Sequence, residues 1–235
     1  MKKILLAGIV CGVLACVLSI TAVLTASGNM FNLTNFNNYK VESKSLNNAV
    51  SITLIDCEVI EIEESLSNEL YIEYYSNDNS QYFITGDTNV IIKGVIEDEF
   101  FDLNKKGVEI YIPRNSNIDI IINTEDAKID IEDVTLNDLD ITCNDSVVEI
   151  SDVICNNFVI KAEDSKLELD DIKSPIINLS LEDSTLELDL PLRKSEYTLE
   201  LSLIDTSCNV VSSGTGANKV VINSNEGKVR VYFED

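Results

Sequence analysis

Between residues 117 and 194 apolar side chains fall at every second position, and the alternation breaks at fixed intervals. Asp126, Asp145, Asp164 and Asp183 are equally spaced, and each opens the same pattern, as in Asp164-Ser165-Lys166-Leu167-Glu168-Leu169. A fixed period near 20 is the mark of a solenoid, and a period of two within it is the mark of strands. Aligned on that spacing, Ile120, Leu139, Phe158 and Ile177 share a column, as do Ile122, Ile141, Ile160 and Leu179. Past the Asp come Ile129, Val148, Leu167 and Leu186, then Ile131, Ile150, Leu169 and Leu188, and finally Val134, Val153, Ile172 and Pro191. Each repeat thus predicts two short strands, and stacking at about 4.8 Å turns the columns into internal aliphatic ladders. A helix is excluded because the alternation persists in every copy and Val, Ile and Thr recur within it.

The pattern loosens on both sides. Asp205 and then Glu226 follow Asp183 at slightly longer intervals, which predicts two further coils in succession. Upstream, 51–62, 69–75 and 108–112 read as strands of less regular coils, with a turn at 76–80 and a loop insertion at 98–106. The expected fold is an all-β, single-chain β-solenoid over residues 48–235, with its regular repeats at 117–194.

Ahead of it, residues 4–26 form an apolar run without a charge. At about 1.5 Å per residue, 23 residues can cross a hydrocarbon core of roughly 30 Å. The apolar region of a cleaved signal is shorter, about 7–15 residues. Residues 1–27 are therefore expected to be an uncleaved transmembrane helix, with Lys2 and Lys3 on the cytoplasmic side and the remaining chain outside the cell. Cleavage near Ser27, and lipidation of Cys16 after Val13-Leu14-Ala15, are the competing readings. Residues 28–47, rich in Asn and without a period, read as a spacer.

Charge and composition narrow the function. The chain carries 41 acidic and 17 basic residues, a net charge of −24, and no His or Trp. Such a surface repels phosphate backbones, and no Lys/Arg cluster exceeds two residues, so a nucleic-acid partner is excluded. The absence of His removes every Ser–His, Cys–His and imidazole–metal arrangement.

The stretch after Gly107, VEIYIPRNSNIDIIIN, with the stacked two-strand repeats and the closing GKVRVYF, resembles the bacterial DUF4097 family. The resemblance spans roughly residues 48–235. It implies a β-strand repeat fold and, from members described as candidate adhesins, a role at the cell surface. Members carry Gly at the turn, whereas here only Gly227 keeps it and Ala127, Ser146, Ser165, Ser184 and Thr206 take its place. The departure predicts turns without positive φ, each headed by an Asx-type hydrogen bond from the Asp.

The Asp126, Asp145, Asp164 and Asp183 column would then stack carboxylates at strand spacing, each accepting from the backbone N–H two residues on. A shared Ca²⁺ along this ladder is the alternative, and it carries the only metal candidates in the chain. Asp130, Glu149, Glu168 and Glu187 should form an outward ladder beside Glu132, Asp170 and Asp189, with Lys128 and Lys166 alongside. Cys143 and Cys208 read as small buried residues, and how Cys57, Cys143, Cys155 and Cys208 pair, if at all, stays open. No CxxC, cofactor motif or catalytic constellation is present. The expected function is a non-catalytic, adhesin-like surface module without cofactor, whose macromolecular partner is a protein before a glycan. A component of envelope-stress signalling and a carboxylate-only hydrolase are the alternatives.

Overall fold

The computed structural model describes residues 40–76, 80–96, 107–114 and 116–234. The expected anchor (1–27), the first part of the spacer and the 98–106 insertion lie outside the described residues. Among those described, no helix is long and apolar enough to cross a membrane.

In chain order the strands are β1 (Lys40–Ser45), β2 (Ser51–Ile55), β3 (Val59–Ser65), β4 (Tyr71–Ser76), β5 (Ser80–Thr85), β6 (Asn89–Ile96), β7 (Val108–Pro113) and β8 (Asp119–Glu125). They continue as β9 (Lys128–Glu132), β10 (Asp138–Asn144), β11 (Val147–Ser151), β12 (Asn157–Glu163), β13 (Lys166–Asp170), β14 (Ile176–Leu190), β15 (Tyr197–Cys208) and β16 (Asn218–Phe233). All belong to one continuous, unclosed sheet that wraps round the coils.

The regular coils stack as their spacing requires. Ile120, Leu139, Phe158 and Ile177 pair in parallel register, and so do Ile129, Val148, Leu167 and Leu186. Every one of these side chains is fully buried. At about 1.5–3 kcal/mol for each buried aliphatic side chain, these ladders are the main source of stability. A short third side closes each coil, where Thr135, Ile154 and Lys173 form parallel bridges and Val134, Val153 and Ile172 point inward. Pro191 does not join that column. Leu190 stands where the other coils turn at Asp, so β14 extends to include it, Leu190 itself is buried and Pro191 is left half-buried.

Both ends of the stack depart from chain order. The coil of β2 and β3 lies against β8 and β9 on one side and against β6 and β7 on the other, all in parallel. At the far end β16 lies between β14 and β15. The terminal coils expected in succession are thus arranged so that one is tucked inside the other. Segments that are not neighbours in the chain are thus paired at each end.

Three strands were not expected. The spacer contributes β1, which pairs antiparallel with β4, and β5 with β6 forms an antiparallel hairpin. Leu46 is buried just after β1, and the Asn47 side chain accepts from the Leu70 amide at 2.9 Å, so this stretch is docked.

Candidate functional site

Each regular coil turns between its two strands on an Asp. The backbone there is left-handed: φ is 53° at Asp126, 47° at Asp145, 48° at Asp164, 46° at Asp183 and 45° at Asp205, with Glu226 at 56°. The expectation of turns without positive φ is therefore wrong. The Asp itself takes the left-handed conformation, which Asp and Asn tolerate best among residues with a Cβ.

The Asp does not cap the turn either. The amides two residues on, at Lys128, Val147, Lys166 and Thr185, bond instead to the carbonyls of Glu58, Ala127, Ser146 and Ser165 in the neighbouring coil. The residue after the Asp does the capping, across coils. Ser146, Ser165 and Ser184 are buried, and their Oγ atoms accept from the amides of Ala127, Ser146 and Ser165 at 3.0–3.1 Å. Each hydroxyl donates in turn to the carbonyl two residues before it, at 2.6–2.7 Å. This serine ladder satisfies amides that would otherwise be buried without a partner. Cys57 repeats the geometry with sulfur in the first coil, where Sγ lies 3.4 Å from the Ile55 carbonyl and Asp56 is left-handed.

With the backbone thus served, the Asp carboxylates project from the corner. Among the described residues no three Asp, Glu, Cys or His side chains converge as they would around a cation, the Asp126, Asp145, Asp164 and Asp183 column included.

A second corner escaped the sequence reading although it carries the same signal. Asp133, Asp152 and Asp171 recur at the same interval as the first column, and they too are left-handed. Here a hydrogen bond donated by the protonated Asp152 carboxyl to Asp171, then desolvation, holds the Asp152 carboxyl above its ordinary range. Lys173, 2.6 Å from Asp171, holds the Asp171 carboxyl below it.

The wall between these corners is acidic. Glu73, Glu109, Glu61, Asp130, Glu149, Glu168 and Glu187 pair one after another across β4, β7, β3, β9, β11, β13 and β14, and Arg230 on β16 ends the row. Lys128 lies 3.1 Å from Asp130 and 3.5 Å from Glu149, Lys166 2.5 Å from Glu168, and Arg230 3.5 Å from Glu187. These neighbours raise both lysines above the ordinary range, Lys128 chiefly through Asp130 and Lys166 through Glu168. The next row holds Glu63, Glu132, Ser151, Asp170 and Asp189, and Asp189 is pushed up by desolvation and then by Asp170. A shallow depression of about 470 Å³ runs over both rows. The outward ladder expected from sequence is thus assembled, and it extends onto the irregular coils.

Tyrosines stand at one end of this wall. Tyr71 and Tyr111 stack at 4.5 Å, and Tyr111 donates to Glu109 at 2.8 Å. Desolvation and Glu109 push Tyr75 up to about 12 and raise Tyr111 further. The wall preceding the Asp corner differs in kind. Its shallow groove, about 630 Å³, is lined by Asn123, Thr142, Lys161, Ser180, Asn223 and Ser202, a row of mostly neutral polar side chains.

Cys57, Cys143, Cys155 and Cys208 are all free. The first three are buried, and desolvation raises their thiols, Cys57 to about 12 and Cys155 to about 11. Cys208 does pair into the Val229 column, but on the outermost strand it is only half-buried.

Comparison with known proteins adds the family. The model of the Toastrack DUF4097 domain matches residues 47–193, more than half of the chain. The chain belongs to the DUF4097 family. The match covers the coils from β2 to β14 and stops before the tucked pair β15 and β16. Among solved structures, a candidate cell adhesion protein from Clostridium sporogenes is 14% identical, with a TM-score of 0.43 over 84% of this chain and 100% of that one. A candidate adhesin from Bacteroides fragilis is 9% identical, with a TM-score of 0.35 over 83% of this chain and 97% of that one. No curated protein matches the chain.

Proposed function

We propose that this chain is a membrane-anchored, non-catalytic interaction module displayed outside the cell, adhesin-like, whose acidic wall meets a protein partner with a basic surface. The observation that carries this reading is the carboxylate row from Glu109 to Glu187, held at strand spacing on a rigid sheet. Backbone pairing fixes the spacing of such a row, so a complementary surface meets it without first ordering flexible side-chain supports. The uncharged run at residues 4–26 supports the anchor. The lysines on the wall are too few to neutralise it, which leaves a field that steers cationic partners.

Capture from envelope extracts with the full-length chain tests the reading. A partner should be retained at low salt and released as salt screens the wall. It should be lost when Glu149, Glu168 and Asp170 are changed together to Gln, Gln and Asn. Retention of the same partner by that triple variant would refute the acidic-wall reading, and protection of the domain from protease added to intact cells would refute the topology.

A further inference from the structure

Among the described residues the last coil ends in an open edge. In β16 the inward residues Ile222, Ser224, Val229 and Val231 are all nearly inaccessible. Leu201, Leu203 and Cys208 occupy the same columns in β15, and each is only half-buried, with no further coil against it among the described residues. Ile204 and Val211 beside them are 59% and 71% exposed. The chain covers only the first part of this edge. Ser213 exchanges backbone bonds with Leu199, and the Ser212 hydroxyl accepts from the Leu201 amide. Beyond Leu201 the edge has no such partner strand among the described residues. A stack of repeats ordinarily ends in a polar capping coil, and a free edge is ordinarily blunted by charge or proline. At the other end β1 follows that rule, with Lys40, Glu42 and Lys44 along an exposed edge strand. The edge of β15 past Leu201 does not.

Charge identifies the occupant. Residues 40–192 carry 35 acidic against 10 basic side chains, whereas residues 193–235 carry six against five. Residues 193–235, which supply β15 and β16, are thus close to neutral, so a second copy meets less repulsion there than over residues 40–192. It is also self-complementary. Asp205 lies on the edge strand beside Glu226, Lys228 lies one strand in, on β16 opposite Ser207, and neither Asp205 nor Lys228 enters an ion pair among the described residues. Across a two-fold axis each would face the other's counterpart.

We propose that two copies of this chain associate through the free edge of β15, pairing their strands beyond Leu201, burying Leu203 and Ile204, and exchanging Asp205–Lys228 contacts. The inference stands on the stack end alone and is independent of what the acidic wall binds.

The test is the mass of the full-length chain in detergent, by light scattering with the micelle subtracted, with amide hydrogen exchange read on β15. The parent should be a dimer with β15 protected. Leu203→Lys, and separately Ile204→Lys at a site already exposed, should give folded monomers with that protection lost. Lys228→Glu should weaken the dimer roughly tenfold by placing like charge against Asp205, and adding Asp205→Asn should recover part of the loss. Lys166→Glu, in the same column but in mid-stack, should change nothing. A parent that is monomeric at tens of micromolar would overturn the proposal, as would a dimer that survives both edge variants. A monomer with β15 already protected would mean that residues 1–39 cover the edge, and would overturn it equally.

Discussion

The four regular coils and the tucked coil pair beyond them obey the same pattern and end in different physical states. In mid-stack an inward residue has a coil above and below it, so Ile160 is wholly buried between Ile141 and Leu179. In β15 the matching residue, Leu201, has a paired strand on one side and only the Ser212 hydroxyl against its amide on the other, and it keeps part of its surface in water. What a column position contributes therefore depends on how many coils flank it. The sharpest way to break this comparison is to place a charge at both sites. Ile160→Asp should cost more than about 4 kcal/mol by burying an unpaired carboxylate, enough to unfold the domain. Leu201→Asp should cost about 1 kcal/mol, because its carboxylate can reach water. Urea unfolding of both variants decides it, and equal losses would show that the end coil is as enclosed as the middle.

The serine ladder carries the same contrast at smaller scale. Ser165 Oγ serves the Ser146 amide and the Glu163 carbonyl in a buried corner. Ser165→Ala should cost about 1–3 kcal/mol by stranding a buried amide. Thr206 in the end coil reaches the Ile204 and Ser224 carbonyls from a half-exposed position, so Thr206→Ala should cost under about 1 kcal/mol. A comparable loss at the two sites would remove the ladder's claimed role in mid-stack.

Much of this was legible in the chain, and the failures have identifiable causes. The inward columns follow from a period of two inside the longer repeat, because a one-residue slip would turn each aliphatic row to water. The tucked order is not encoded that way. The intervals from Asp183 to Asp205 and on to Glu226 are the same whether a coil stacks next in line or one place further on. Gly227 is the local clue. It has φ of 118°, and a Cβ there would lie 2.2 Å from the Ser184 carbonyl oxygen, so β16 is shaped to lie against β14. β1 was hidden because its side chains are nearly all exposed and its strand character comes from β4. β6 was hidden because Ile91, between the buried Val90 and Ile92, and Val95 beyond them both face water, which erases the alternation. The corner geometry was misread because a non-glycine residue after the Asp suggested that no left-handed residue was needed. The Asp itself supplies it.

That reassignment gives the third prediction. If Asp164 is held for its left-handed backbone and not for a cap, Asp164→Asn should be close to neutral, since Asn tolerates that region and removes a like charge between Asp145 and Asp183. Asp164→Ala should cost about 1 kcal/mol through backbone strain, and Asp164→Gly should recover most of that loss although it has no acceptor at all. An Asp164→Gly protein as unstable as Asp164→Ala would restore the capping account. Circular dichroism melts of the three variants against the parent separate the two accounts.

The smallest expected effect contrasts two members of the second corner, and it depends on pH with opposite signs. The Asp152 carboxyl sits above its ordinary range, so its ionised form is disfavoured by folding. The stability linked to it is present in acid and lost as pH rises through the raised folded value. Asp171 sits below its ordinary range because Lys173 holds its ionised form. Its contribution is present above the ordinary carboxylate range and lost as pH falls through the lowered value. At neutral pH Asp152→Asn should therefore raise Tm, while Asp171→Asn should lower it. Both differences should shrink toward zero as the buffer is taken into the acid range where the two carboxyls are protonated, folded or not. Asp152 is exposed and Asp171 only half-buried, so solvent screening limits each effect to under about 1 kcal/mol, and added salt should reduce both. Asn tolerates the left-handed backbone at either position, which keeps strain out of the comparison. Melts of the parent and the two variants across pH measure it. A shift of the same sign for both would mean that Lys173 does not distinguish the two carboxylates as this geometry requires.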